Sequence, residues 1–171
     1  MSELPVFKFA LREDLKDKKE FLPTRVHHTD TGWDVRAAFE DHKDVILSEN
    51  DKILLPLGFK AISPVGWWFK VVPRSSTFAK KHLNCLYGTV DQCYEGFVYL
   101  SCHFQPPHDY QLNEGGVKKI EIKFGDRIAQ IIPVKRQDMF VKEVSNEEYD
   151  RLCKQRNGTR GDGGFGSSKD K

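Results

Sequence analysis

Ile120-Glu121-Ile122-Lys123-Phe124 runs through Gly125-Asp126-Arg127 into Ile128-Ala129-Gln130-Ile131-Ile132-Pro133-Val134, and this stretch decides the fold class. Ile120, Ile122 and Phe124 alternate with Glu121 and Lys123, the period-two pattern of a strand with one wet face. Ile128 to Val134 is nearly continuous apolar chain, which predicts a strand covered on both faces. Gln130 is the polar exception inside it. A buried amide needs partners, so Gln130 marks either a sheet hydrogen bond or a ligand contact.

Outward from these two strands the pattern stays β. Phe7 and Phe9 alternate with Lys8 and Ala10. Val45-Ile46-Leu47, Lys52 to Leu55 and Phe59 to Ile62 are short apolar pieces, separated by Asn50-Asp51 and followed by Ser63-Pro64-Val65-Gly66. Trp67 to Val72 and Phe97 to Phe104 read as further strands. Many short strands at close spacing predict an all-β sandwich or barrel. The charged run at 12–20 reads as a solvated loop. Pro106-Pro107 and Gly115-Gly116 mark 105–116 as a polar loop. Ser145-Asn146-Glu147-Glu148 is a capping box, and with Tyr149, Leu152 and Cys153 at helical spacing it predicts one helix over 145–156. A single domain over 1–157 is expected, followed by a glycine-rich arm, 158–171.

The chain of 171 residues is long enough for a substantial core. Its 27 Lys+Arg against 25 Asp+Glu leave a formal charge of +2, which gives no field demanding nucleic acid or an anionic membrane. No apolar run reaches membrane-spanning length, and Met1 to Ala10 lacks a signal pattern. The expectation is a soluble, cytoplasmic protein, or a nuclear or host-cell one if the source is eukaryotic or viral. Cys85, Cys93, Cys102 and Cys153 form no CxxC pair, which fits reduced thiols. Cys102-His103 lacks the paired ligand spacing of a zinc site.

Five segments carry candidate chemistry. Gly32-Trp33-Asp34-Val35-Arg36 puts an acid and a base on a short strand, a structural ion pair or more. Pro73-Arg74-Ser75-Ser76-Thr77 follows a strand that Pro73 ends. It can aim a guanidinium, hydroxyls and N–H groups at an anion, or it is a plain Ser/Thr-rich turn. Gly88-Thr89-Val90-Asp91-Gln92-Cys93-Tyr94-Glu95-Gly96 looks like a β-hairpin. Asp91 there is a turn former or a general base for water, and Tyr94 can pack under a sugar or ring. Gly125 to Gln130 is the fourth. In Arg160-Gly161-Asp162-Gly163-Gly164-Phe165-Gly166-Ser167-Ser168, bare N–H groups and hydroxyls suit phosphate, Arg160 offers a donor fork and Phe165 a flat face. A Gly/Ser tail without fixed structure is the plainer alternative.

In this order the five segments resemble the motifs of the trimeric dUTP pyrophosphatases (dUTPases), over residues 23–168. The resemblance implies a distorted jelly-roll β-barrel with a flexible C-terminal arm. It implies a homotrimer with sites at subunit interfaces, and Mg²⁺-dependent hydrolysis of dUTP to dUMP and pyrophosphate, which supplies dUMP for thymidylate synthesis. On that basis Asp91 matches the base that orients the attacking water. Arg74, Ser75 and Ser76 match phosphate contacts, and Gln130 the contact to the α-phosphate. Asp34 matches the acid that holds the metal's water shell, and Gly88 lies in the backbone that reads uracil. Tyr94 matches the ring under the deoxyribose, excluding a 2′-hydroxyl. Arg160 matches the γ-phosphate contact and Phe165 the ring over uracil, with Gly163, Gly164, Gly166 and Ser167 closing on the phosphates. The chain departs from the family at Leu86-Tyr87, Cys93 and Ser76-Thr77-Phe78, which bears on base preference, including toward a modified uracil. The loop at 105–116 and the helix at 145–156 look like additions, serving trimer packing or a protein partner.

Two rival functions share much of this pattern. A dCTP deaminase needs a catalytic Glu where this chain has Ser101, which cannot serve as the acid/base. A dUTPase-like binding or regulatory protein would have no need of Asp91 as a base.

Overall fold

The computed structural model describes residues 4–113 and 115–156. The chain divides into two compact units, Met1–Gln137 and Asp138–Lys171. In the first unit the strands are β1 Lys8–Leu11, β2 Trp33–Arg36, β3 Val45–Ser48, β4 Lys52–Pro56, β5 Phe59–Ile62, β6 Trp67–Pro73, β7 Leu83–Cys85, β8 Gly88–Val90, β9 Tyr99–Phe104, β10 Lys119–Ile122 and β11 Arg127–Lys135. They form a four-stranded sheet in the order β2-β11-β6-β8, a three-stranded sheet β4-β9-β7, and the pairs β1-β5 and β3-β10. Every pairing is antiparallel.

The architecture is therefore mostly β, as the short alternating runs predict. Alternation puts Leu100, Cys102 and Phe104 of β9, Phe59 and Ala61 of β5, and Phe69 and Val71 of β6 into one apolar core. Val35, Leu55, Leu83, Ile128, Ala129 and Ile131 complete its centre. Each fully buried Leu, Ile or Phe contributes about 1.5–3 kcal/mol of apolar transfer free energy, so this cluster is what holds the strands together.

In β11, Ile128, Ala129 and Ile131 are buried, while Ile132, Pro133 and Val134 are half-buried. The expectation of a strand covered on both faces is met only in part: Ile128, Ala129 and Ile131 all face one core, while Gln130 and Ile132 to Val134 are half-buried. The reason lies in its neighbour: β2 ends at Trp33, opposite Ile131, while β6 accompanies β11 as far as Lys135. Arg136 N–H donates to Gly66 O and Arg74 N–H to Ile128 O. Even-numbered β11 residues thus bond toward β6, and odd-numbered ones face the β2 side. Pro133 therefore turns its missing N–H toward the side where β2 has already stopped.

Three local expectations are revised. The charged run at 12–20 is not simply a solvated loop. It holds two single turns of 3-10 helix, Glu13–Leu15 and Lys19–Phe21, and buries Leu15 and Phe21 with Ala38 in a small second core. Two apolar side chains hidden among charges leave no periodic trace. Arg12 secures the segment, donating to Ala38 O at 2.8 Å and pairing with Asp14 at 2.6 Å. The Ser-rich turn after Pro73 closes into a five-residue helix, α1 Ser75–Ala79. Lastly, the ladder of the expected 88–96 hairpin forms lower down, between β7 and β9. Its last bond is Leu86 N–H to Ser101 O, 3.0 Å. Beyond it the two arms part. β8 joins β6, and Val98 exchanges bonds with Leu57 and Phe59.

The loop at 105–116 is tied to the core by Tyr110, whose ring meets Phe104 and His82 edge-on. In the second unit, helix α2 spans Asn146–Gln155. Ser145 caps it, accepting from Glu148 N–H at 3.2 Å, as the capping box predicts. No helix among the described residues is long and apolar enough to cross a membrane.

Candidate functional site

The site is built on an irregularity in β11. Arg127 lies opposite Arg36 of β2, but Ala129 lies opposite Val35, so the register shifts at Ile128. Such a bulge lets Ile128 and Ala129 both turn into the core. It also presents the Ile128 carbonyl to β6 and α1. That oxygen accepts from Arg74 N–H at 3.3 Å and from the buried Thr77 hydroxyl at 2.6 Å. The start of α1, and with it Arg74, Ser75 and Ser76, is thereby fixed against β11. The hydroxyl of Thr77 is spoken for by this bond, while Ser75 is exposed and Ser76 half-buried.

Across the bulge, Gln130 lies opposite Asp34 on β2 and opposite Val72 on β6. The Asp34 side chain is 15% exposed, and a carboxylate so covered needs compensation. It receives two cations: Arg74 Nε at 2.9 Å and Arg127 at 3.4 Å. The structural ion pair foreseen between Asp34 and Arg36 is not the one that forms. Arg36 instead donates to the carbonyls of Gly125 and Glu20, at 2.7 and 3.0 Å, and so pins the turn before β11. Gly32 makes this arrangement possible. A Cβ there would lie 1.7 Å from Gln130 Oε1, so the Gln130 amide occupies space that any larger residue would take. Asp126 braces the same turn, accepting from Lys81 Nζ at 2.7 Å and Lys123 N–H at 3.1 Å.

Asp91 and Tyr94 belong to the splayed tip beyond β8. Asp91 is exposed, and among the described residues its carboxylate has no hydrogen-bond partner. Its carbonyl accepts from Tyr94 N–H at 3.1 Å, closing the turn. The Tyr94 hydroxyl donates to Phe97 O at 2.9 Å, and Gly96 leaves room for it: a Cβ at Gly96 would stand 2.3 Å from that oxygen. Gln92 anchors the tip, its side-chain oxygen accepting from Gly66 N–H at 2.7 Å. Gly88, at the start of β8, lies opposite Val71.

One chain brings together Asp34, Arg74, Gln130 and, beside them, Ser75 and Ser76. It does not bring Asp91 to them. Val90 pairs with Phe69, five residues before Arg74 along β6. That separation corresponds to about 17 Å of strand. Arg160, Gly163, Gly164, Phe165, Gly166 and Ser167 lie outside the described residues. Arg127, Thr77 and Gly32 position the site but were not singled out from the sequence. Arg127 lies within the fourth segment as one more exposed charge, while Thr77 and Gly32 act through a bulge and a close approach that no spacing reveals.

A family model described as dUTPase matches residues 18–169. The chain belongs to the dUTPase family. Among curated dUTPases, named deoxyuridine 5′-triphosphate nucleotidohydrolases, that of Mycolicibacterium vanbaalenii is 33% identical, with 86% of each chain covered. The Candida albicans protein is 29% identical, covering 93% of this chain and 87% of its own. Among solved structures, a Staphylococcus bacteriophage 80alpha dUTPase variant with dUpNHpp superposes with a TM-score of 0.72 at 23% identity, over 95% of this chain and 97% of that one. A dUTPase variant from phage phi11 of S. aureus, described with a structural Mg(II) ion, gives 0.65 at 22% identity, over 82% and 97%. The dUTPase fold is thus common to this chain and the phage enzymes.

Proposed function

We propose that this chain hydrolyses dUTP to dUMP and pyrophosphate, keeping dUTP low and supplying dUMP for dTTP synthesis in the cytoplasm. Each subunit is read as a distorted jelly-roll barrel, one of three in a homotrimer. The observation that carries the reading is the separation of the two halves of the site. Asp34, Arg74 and Gln130 converge at the bulge, while Asp91 stands just past β8, whose Val90 pairs with Phe69, five residues or about 17 Å of strand before Arg74. A site needing both halves is completed by a second copy that contributes its tip.

The roles follow from position and charge. Arg74, with Ser75 and Ser76, takes the phosphate oxygens, and Gln130 donates to the α-phosphate. Asp34 holds the Arg74 fork in its orientation, so little ordering remains when substrate arrives. Mg²⁺ enters on the triphosphate as part of the substrate. Among the described residues no three His, Cys, Asp or Glu gather to hold an ion. A hard cation that keeps several waters would be carried by the phosphate oxygens, and Asp34 would hold a water of its shell. Asp91 accepts a proton from water as the water oxygen attacks the α-phosphorus, and pyrophosphate leaves. Tyr94 packs under the deoxyribose and excludes a 2′-hydroxyl, and the backbone from Gly88 reads uracil. Arg160 meets the γ-phosphate, Phe165 covers the base, and Gly163, Gly164, Gly166 and Ser167 close on the phosphates.

The test is pyrophosphate release with Mg²⁺ from dUTP, dCTP, dTTP and UTP in parallel. Turnover of dUTP alone is expected. Binding of dUTP without turnover would favour a nucleotide-binding protein instead. Removal of residues 160–171 is expected to leave a folded protein with little activity; a fully active truncate would take the arm out of the mechanism.

A further inference from the structure

The chain carries a pair of cysteines that the proposed hydrolysis does not use. Cys85 on β7 and Cys102 on β9 are direct cross-strand partners. Their sulfurs stand 3.2 Å apart, in hydrogen-bond contact. The rung type favours a covalent link. Leu86 N–H bonds Ser101 O, so the next pair down, Cys85 and Cys102, is a non-hydrogen-bonded one. Such pairs hold their Cα atoms about 4.5 Å apart with side chains close, inside the range a disulfide spans. Cys102 is buried in the core, whereas Cys85 is only partly covered and so is the sulfur a small solute can reach. The sulfur–sulfur hydrogen bond holds the Cys85 thiol below its ordinary range, while the same bond and then burial push Cys102 up. The two remaining cysteines, Cys93 and Cys153, are exposed.

We propose that Cys85 and Cys102 form a reversible peroxide-driven disulfide, a modification site that clamps the base of the segment carrying Asp91 and Tyr94. The Cys85 thiolate attacks a peroxide oxygen, the O–O bond breaks, hydroxide leaves and takes up the proton Cys85 had released to become water, and a sulfenic acid remains on Cys85. The Cys102 sulfur then attacks the Cys85 sulfur, the S–O bond breaks, and a second water departs with the Cys102 proton. Two thiols and one hydrogen peroxide thus give one disulfide and two waters. The bond forms one rung below the last hydrogen bond before the two arms part. It encloses residues 86–101, the segment from which Asp91 is presented.

The experiment uses the full chain with Cys93→Ser and Cys153→Ser, so that only this pair can react. After hydrogen peroxide, thiols are counted under denaturant and a non-reduced peptide map is taken by mass spectrometry. Both thiols are expected to disappear with loss of two hydrogens from the mass. The map should link Cys85 to Cys102 within one chain, dithiothreitol should restore both thiols, and Tm should rise by roughly 5–10 °C in the oxidised form. Survival of both thiols would overturn the proposal, as would a Cys85 sulfinic acid beside a free Cys102, or a link between chains. Should the double variant fail to fold, the same peptide map on the natural chain decides. A link joining Cys93 or Cys153 in place of the pair sinks the idea.

Discussion

Two regions of the same sheet are built in opposite ways. Around the bulge of β11, Asp34 is paired with Arg74 and Arg127, Thr77 with the Ile128 carbonyl, and Arg36 with the carbonyls of Gly125 and Glu20. At the tip beyond β8, the Asp91 carboxylate stands exposed with no partner among the described residues. The first region is finished within one chain, with its charges oriented in advance. The second is presented, its backbone held by Tyr94 and Gln92 but its carboxylate left open. Groups that only bind charge gain from being fixed early, whereas a base must stay available for water.

The sharpest way to break this comparison is Asp91→Asn. Loss of the base is expected to lower kcat by about 10²- to 10⁴-fold while dUTP binding survives. Unchanged kcat in a steady-state pyrophosphate assay would remove Asp91 from the chemistry. Gly32→Ala strikes the opposite region. The new methyl displaces only the end of the Gln130 side chain, so unfolding in urea should shift by no more than about 1 kcal/mol. Loss of a hydrogen bond to a charged phosphate should nonetheless cut kcat/KM about 10- to 100-fold. Equal losses of stability and activity would mean that Gln130 is only a packing residue. Thr77→Val keeps the volume and removes the bond to Ile128 O. It is expected to cost about 1–2 kcal/mol of stability, read from the urea midpoint, with a smaller fall in kcat/KM as Arg74 loosens.

The smallest effect lies away from both regions, at Asp14. Its hydrogen bond to Arg12 lowers the carboxyl pKa from 3.8 to about 2. A carboxylate more acidic in the folded state adds stability that is present above pH about 4 and lost as pH falls toward 2. The side chain is 38% exposed, so solvent screening keeps that contribution well under ~1 kcal/mol. Asp14→Asn should therefore flatten the acid limb of a stability-versus-pH curve slightly between those values and leave pH 7 turnover unchanged. A stability loss that is the same at pH 2 and pH 7 would show that Asp14 acts by packing alone.

What the sequence disclosed follows physical lines. Strand periodicity was legible because a core needs apolar residues at every second position, and Ile120, Ile122 and Phe124 show it plainly. The cap at Ser145 was legible because one hydroxyl and one N–H three residues on suffice to make it. The bulge at Ile128 was not, since it is defined by a partner strand 92 residues earlier in the chain, where Arg36 faces Arg127 but Val35 faces Ala129. Everything that hangs from it was hidden for the same reason: the role of Thr77, the orientation of Arg74, and the true partners of Asp34. Leu15 and Phe21 were masked by the charges around them. The tip at Asp91 was visible as a polar turn, but its two arms pair with strands that local sequence does not name.

Pro133 has a consequence beyond the fold of one chain. Among the described residues no strand pairs with the β2 side of β11 beyond Ile131, and a bare edge of this kind is where copies of a chain can add to one another. By presenting a ring where that edge would offer a donor, Pro133 acts as a gatekeeper against such growth.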